Sequence, residues 1–162
     1  MKKFELTTES ITNVAGKKIF RIKALVEFGN VKAGELGGYV EKEGNVSQDG
    51  NAWVSGNAWV YGNAWVSGNA KVSGNVRVSG DARVSGNTDY ASVQGFGTEF
   101  RCTTFYRSKN KKIMVNCGCF HGDLEEFRKQ VKETRSGEIA KEYLMIADLM
   151  EYHFASEDSS NE

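Results

Sequence analysis

A six-residue period starting at Gly44 constrains this chain more than any other feature. In register the units read GNVSQD, GNAWVS, GNAWVY, GNAWVS, GNAKVS, GNVRVS, GDARVS and GNTDYA, eight in succession without an insertion. The pattern inside a unit has a physical reading. Ala52 and Val54 are two residues apart, so on an extended segment they point to one side and Trp53 to the other. A small residue beside Val suits a narrow interior bounded by three walls. Ser55-Gly56-Asn57 then turns the corner, because Gly reaches positive φ without steric penalty and Asn tolerates it well. Three walls make an eighteen-residue circuit, in which residues i and i+18 stack at about the 4.8 Å strand spacing. One circuit cannot bury its own face, so several must stack and the ends need caps. A hexapeptide period predicts a parallel β-helix.

The outward positions carry the variation. They run Trp53, Trp59, Trp65, Lys71, Arg77, Arg83, so stacking pairs Trp53 with Lys71, Trp59 with Arg77 and Trp65 with Arg83. A cation about 5 Å from an indole face contributes roughly 0.5–1 kcal/mol when exposed. Two readings of these pairs stand side by side. In one they cover the walls or pack against neighbouring protomers, as surface aromatics at interfaces do. In the other they form a stacking surface next to positive charge, suited to a base and its phosphate. A wet surface rarely retains three Trp, so cover by a partner is expected.

The flanks of the repeat read differently. Phe4 to Leu6 and Lys18 to Val26 predict strands around a turn at Ala15-Gly16-Lys17, a hairpin that caps the open sheet end against edge pairing. Beyond Gly97 the period stops. Phe100 to Tyr106 and Lys112 to Phe120 predict two strands joined by a basic, solvated turn at Arg107 to Lys111. Asp123 with Glu126 forms a capping-box variant for a helix whose apolar face is Leu124, Phe127 and Val131. Ser136-Gly137 breaks it, and Ile139, Tyr143, Ile146 and Met150 line a second amphipathic helix. This ββαα module would cap the other end or join protomers. Ser156 to Glu162 is polar and acidic and reads as a frayed tail.

Composition excludes several function classes. Basic and acidic side chains balance at 21 each, so no global field steers the chain to nucleic acid or an anionic membrane. The start lacks the apolar run of a signal peptide, and no stretch approaches the roughly 18 apolar residues of a membrane span. Three Cys is an odd number, and reduced thiols in the cytosol are expected. Cys117 and Cys119 lie on one side of a predicted strand and Cys102 on its neighbour, but structural zinc uses Cys-x2-4-Cys pairs, so core thiols are the preferred reading. The corners lack the carboxylates of calcium-binding repeats. The repeats contain no His that could act as a base, and the only His are His121 and His153.

The units resemble the hexapeptide-repeat, left-handed β-helix family, whose small residue two places before an aliphatic one is matched by Ala58-Trp59-Val60 and Ala70-Lys71-Val72. Left-handedness and a triangular section are implied by that resemblance alone. The chain is similar in particular to phage and enterobacterial YdcK-like, polymer-forming proteins. They share the Gly-Glu-Leu-Gly-Gly-aromatic-Val-Glu segment, here Gly34 to Glu41, and a Cys-Gly-Cys-Phe segment before a helix, here Cys117 to Phe120. The resemblance implies a cyclic trimer, with an aromatic–basic cleft between protomers as the natural ligand site and Tyr61 projecting near it.

The expected fold is mainly β: a hairpin over residues 1–33, a left-handed β-helix over 34–97, a ββαα module over 98–155 and a tail over 156–162. The expected function is non-catalytic and homo-oligomeric, a phage-encoded accessory or anti-defence protein in the bacterial cytoplasm without cofactor, metal or membrane. It would sequester a nucleotide signalling molecule with Trp53, Trp59, Tyr61, Trp65, Lys71, Arg77 and Arg83. The alternatives are an assembly protein that polymerises, or docks to and inhibits a host protein, and an acyltransferase with an unrecognised site.

Overall fold

The computed structural model describes residues 2–13 and 15–160, with side chains described to residue 155. The chain divides into two compact units, Met1–Asn87 and Thr88–Glu162.

In the first unit, β1 (Phe4–Thr12) and β2 (Lys18–Ala24) pair antiparallel, and β3 (Leu36–Val40) pairs antiparallel with β2. Phe4, Ile19, Ile22 and Ala24 are fully buried and anchor this meander. The repeats then form six two-residue strands: β4 (Trp53–Val54), β5 (Trp59–Val60), β6 (Trp65–Val66), β7 (Lys71–Val72), β8 (Arg77–Val78) and β9 (Arg83–Val84). They pair in parallel as β4–β7, β5–β8 and β6–β9, each residue opposite the one eighteen positions on. Ala52, Val54, Ala58, Val60, Val72, Val78 and Val84 are fully buried, so the alternation inside each unit does set an interior side. The corners need glycine: Gly68 has φ 61°, and a Cβ there would sit 2.6 Å from Ser85 O.

In these parallel pairs, N–H groups of the first strand donate to carbonyls of the second, as Trp53 N–H does to Ala70 O at 3.1 Å. The outer edge of the first strands is therefore a row of carbonyls that need donors. Three different devices supply them. Over β4, the buried Lys3 ammonium donates to Ala52 O at 2.7 Å and Gly50 O at 3.3 Å. Over β5, β3 adds as a parallel strand, Tyr39 N–H donating to Ala58 O and Glu41 N–H to Val60 O. Over β6, the Asn45 carboxamide donates to Ala64 O at 2.8 Å and Gly62 O at 3.2 Å, and Ser47 N–H to Val66 O at 2.8 Å.

This arrangement corrects the expected fold class. The strands are distributed over a mixed five-stranded sheet in the order β1-β2-β3-β5-β8, a four-stranded antiparallel sheet and two separate two-stranded sheets. None of them closes or continues as a solenoid, and at 37% strand and 24% helix the chain is mixed rather than mainly β, so it is not a left-handed β-helix. The physical reason is the shortness of the repeat. Parallel pairing between repeats extends over two strands per wall, and β3, added parallel on β5, draws one wall into the antiparallel meander. The last unit, GNTDYA, leaves the pattern for a 3-10 turn, Asn87–Asp89, and an antiparallel strand.

In the second unit, β10 (Tyr90–Val93), β11 (Thr103–Arg107), β12 (Ile113–Cys117) and β13 (Phe120–Asp123) form an antiparallel sheet in that order. There are thus four strands here instead of the two expected. Asp123 caps α1 (Leu124–Thr134): its carboxylate accepts from Glu126 N–H at 2.8 Å, while Glu126 accepts from Asp123 N–H at 3.0 Å. Leu124, Phe127 and Val131 pack with Phe105, Val115, Tyr143, Ile146 and Met150 in the core. Arg107, expected in a solvated turn, is instead buried; it pairs with Asp89 at 3.2 Å and donates to Phe154 O at 2.9 Å. Cys117 and Cys119 do not share a strand, because the chain reverses at Gly118 with φ 59°. Cys119 is consequently exposed and Cys102 half-buried, while half-buried Cys117 packs against the core, so of the core thiols expected only Cys117 meets the core. The helix α2 (Gly137–Ser160) runs into the expected tail, leaving 161–162 outside the described residues. Among the described residues, no helix is long and apolar enough to cross a membrane.

Candidate functional site

The seven residues singled out by the repeat are not equivalent. Strand register places Trp53 opposite Lys71, Trp59 opposite Arg77 and Trp65 opposite Arg83. What differs is what covers each pair.

Trp53 is only 3% exposed. Phe4 and Phe28 meet its ring edge-on, with centroids 6.2 and 5.3 Å away, and no acceptor for its Nε1 is found among the described residues. The flanking meander thus covers this indole and leaves little of its ring on the surface. Lys71 beside it is half-buried, and its backbone N–H donates to Asn87 Oδ1 at 2.9 Å.

Trp59 lies in the five-stranded sheet. The Arg77 guanidinium stacks on its ring at 3.8 Å from the centroid. On the other side, Tyr39 is its register partner, and Arg21 opposite Tyr39 lies 4.5 Å from the Tyr39 ring. The result is a cross-strand row of Arg21, Tyr39, Trp59 and Arg77. In such a row each aromatic face is shared with a neighbouring cation, a geometry that favours packing over stacking with a base.

Trp65 is the open one, at 44% exposure. Arg83 does not lie free beside it, since its Nη1 donates to Asn63 O and Ala82 O, each at 3.0 Å. Tyr61 is half-buried at the corner between β5 and β6, its N–H donating to Val78 O at 3.0 Å. Trp59, Tyr61 and Trp65 therefore follow one another along one row of the repeats, with Trp59 and Trp65 in separate sheets and Arg77 and Arg83 in the next row.

A second surface was not anticipated. The helix α2 turns Tyr143, Ile146, Ala147, Met150 and Phe154 inward. On another side it exposes Met145, Leu149 and Tyr152, at 62%, 56% and 72%. Their spacing of four and three residues puts them on one stripe. Met145 and Leu149 line a groove of about 610 Å³ together with Phe96, Lys141 and Glu142, and Tyr152 continues the stripe beyond it. The signal was present in the sequence as a second apolar period, offset from the one assigned to the core. The flank beyond the stripe is charged: Arg128 pairs with Asp148 at 2.9 Å, with Glu151 at 2.9 Å and with Glu125.

Among the described residues, no group of three or more His, Cys, Asp or Glu side chains is placed to hold a metal ion. Compared with models of known protein families and with curated proteins, the chain matches none of either.

Proposed function

We propose that this is a non-catalytic binding protein that acts as a homo-oligomer, with α2 as the self-association face and the Trp59–Tyr61–Trp65 row as the surface offered to a partner. The observation that carries this reading is the exposed stripe of Met145, Leu149 and Tyr152 on a helix whose other side is already buried in a core. A helix apolar on two sides has a second packing partner to satisfy. A second copy of α2 fits that role. In antiparallel pairing about its middle, Met145 meets the counterpart of Leu149, and the Glu142 carboxylate meets the counterpart of the Tyr152 hydroxyl. The helix dipoles then oppose. A parallel pair would bring Glu138 and Glu142 against their own copies.

For the partner surface, a row with two Trp, a Tyr and two Arg has the composition of a protein-binding hot spot. A nucleotide reading has one supporting observation, the open indole of Trp65 with Arg83 in register, and titration with di- and trinucleotides tests it. Sedimentation equilibrium tests the self-association. The wild-type chain is expected to associate at high micromolar concentration, and Leu149→Glu to yield a monomer with an unchanged circular dichroism spectrum. A wild-type chain that stays monomeric would overturn the proposal.

A further inference from the structure

We infer that the second unit contains a binding site for a small carboxylate carrying an apolar ring, formed by the 96–101 segment, the Cys117–Phe120 turn and the end of α1. This inference does not depend on self-association. Two adjoining chambers share Arg101, Cys117, Arg135 and Tyr143. The larger, about 260 Å³, is bordered by Thr98, Glu99 and the two arginines. The smaller, about 130 Å³, is backed by Phe120, Phe127 and Val131. A charged chamber adjoining an apolar one suits an amphipathic monoanion, and these volumes lie at or below the low end of small-molecule sites.

The cleft is built by two glycines. Gly118, at φ 59°, would as alanine place a Cβ 3.0 Å from Arg101 Cζ, so its lack of a side chain lets the guanidinium lie on the turn. Gly97, at φ 78°, would place a Cβ 2.6 Å from the Tyr143 hydroxyl, which reaches past it to donate to Phe96 O at 3.2 Å. Burial pushes the Tyr143 phenol up from its ordinary value, while Arg135 and Arg101 pull it down. Both guanidinium groups border the same two chambers.

The charge arrangement identifies the ligand group. Arg135 has no carboxylate partner among the described residues, whereas Arg101 is paired with Glu99 two residues away. Glu99 thus occupies Arg101 much as a ligand carboxylate would, and an incoming carboxylate bridges Arg101 and Arg135. Paired N–H donors from arginine favour a planar carboxylate over a point charge.

The experiment is a titration of the full chain, followed by amide nitrogen–proton NMR, with benzoate, benzamide and inorganic phosphate at matched ionic strength. Benzoate is expected to move resonances within 96–101, 117–120 and 130–135, and the other two to leave them in place. Arg135→Gln and Arg101→Gln should each weaken benzoate binding about tenfold or more, with Arg135→Lys recovering part of the loss. Glu99→Gln should tighten binding by releasing Arg101. Equal responses to benzoate and benzamide, phosphate binding as well as benzoate, or an unchanged affinity in Arg135→Gln with an otherwise native spectrum would each overturn the assignment.

Discussion

Three tryptophans in nearly identical hexapeptides should differ several-fold in what they contribute to stability. The perturbation is Trp→Ala at 53, 59 and 65 in turn. Trp53 is 3% exposed and enclosed by Phe4 and Phe28. Removing a ring of about 200 Å² at about 25 cal/mol per Å² gives an upper value of about 5 kcal/mol, in line with about 3–5 kcal/mol for buried Trp→Ala changes. Trp59 is half-buried and loses the Arg77 contact, so its change should cost about 1–2 kcal/mol. Trp65, at 44% exposure, should cost less than about 1 kcal/mol in the monomer. All three indoles lie in the first unit, so the fluorescence of the two that remain reports its unfolding alone. Urea titrations at low protein concentration, where the chain is monomeric, give the ranking. Trp53→Phe is an internal control: its Nε1 has no acceptor among the described residues, so replacing the indole by a smaller ring should cost less than half of Trp53→Ala. Three equal values, or a larger loss at Trp65 than at Trp53, would refute the reasoning.

Two further outcomes follow from the same contacts. Lys3→Met keeps the buried stem of Lys3 but strips the donor from Ala52 O and Gly50 O, and should cost the first unit about 1–3 kcal/mol in the same urea assay; a neutral result would mean that those carbonyls find another donor. In the second unit, burial lowers the His121 pKa below its ordinary value, against a smaller upward pull from Glu126. Its imidazole Nδ1 lies 2.6 Å from Asn116 Oδ1. The folded state therefore favours neutral His121, and that contribution is fully present above about pH 6.5 and is lost as pH falls through the lowered folded value. Denaturation followed from neutral to acidic pH should show this slope, reduced in His121→Gln; an unchanged slope would assign the effect to other groups.

The local pattern of the chain was legible because it depends on contacts within a few residues. Alternation of Ala and Val about an outward residue placed Ala52, Val54 and their equivalents inside, and the six-residue corners brought residues eighteen apart into parallel register. The Asp123–Glu126 capping box is also local, being closed within a single turn. On α2 the sequence carried two apolar periods, and only the one containing Tyr143, Ile146 and Met150 was assigned.

Closure of the sheets was not legible, because it depends on how many rows stack and on what meets their edges. Two repeat strands per wall do not make a solenoid, and β3 draws one wall into a mixed sheet. Nor did the hexapeptides distinguish Trp53 from Trp65. Their immediate sequences are the same, and the difference comes from Phe4, Phe28 and Lys3, which lie far away in the chain. Contacts within a few residues set the period, the interior side and the pairing distance. The tertiary structure alone decided which outward residues remain on the surface, because exposure is set by whichever distant segment satisfies the neighbouring carbonyls and covers the ring.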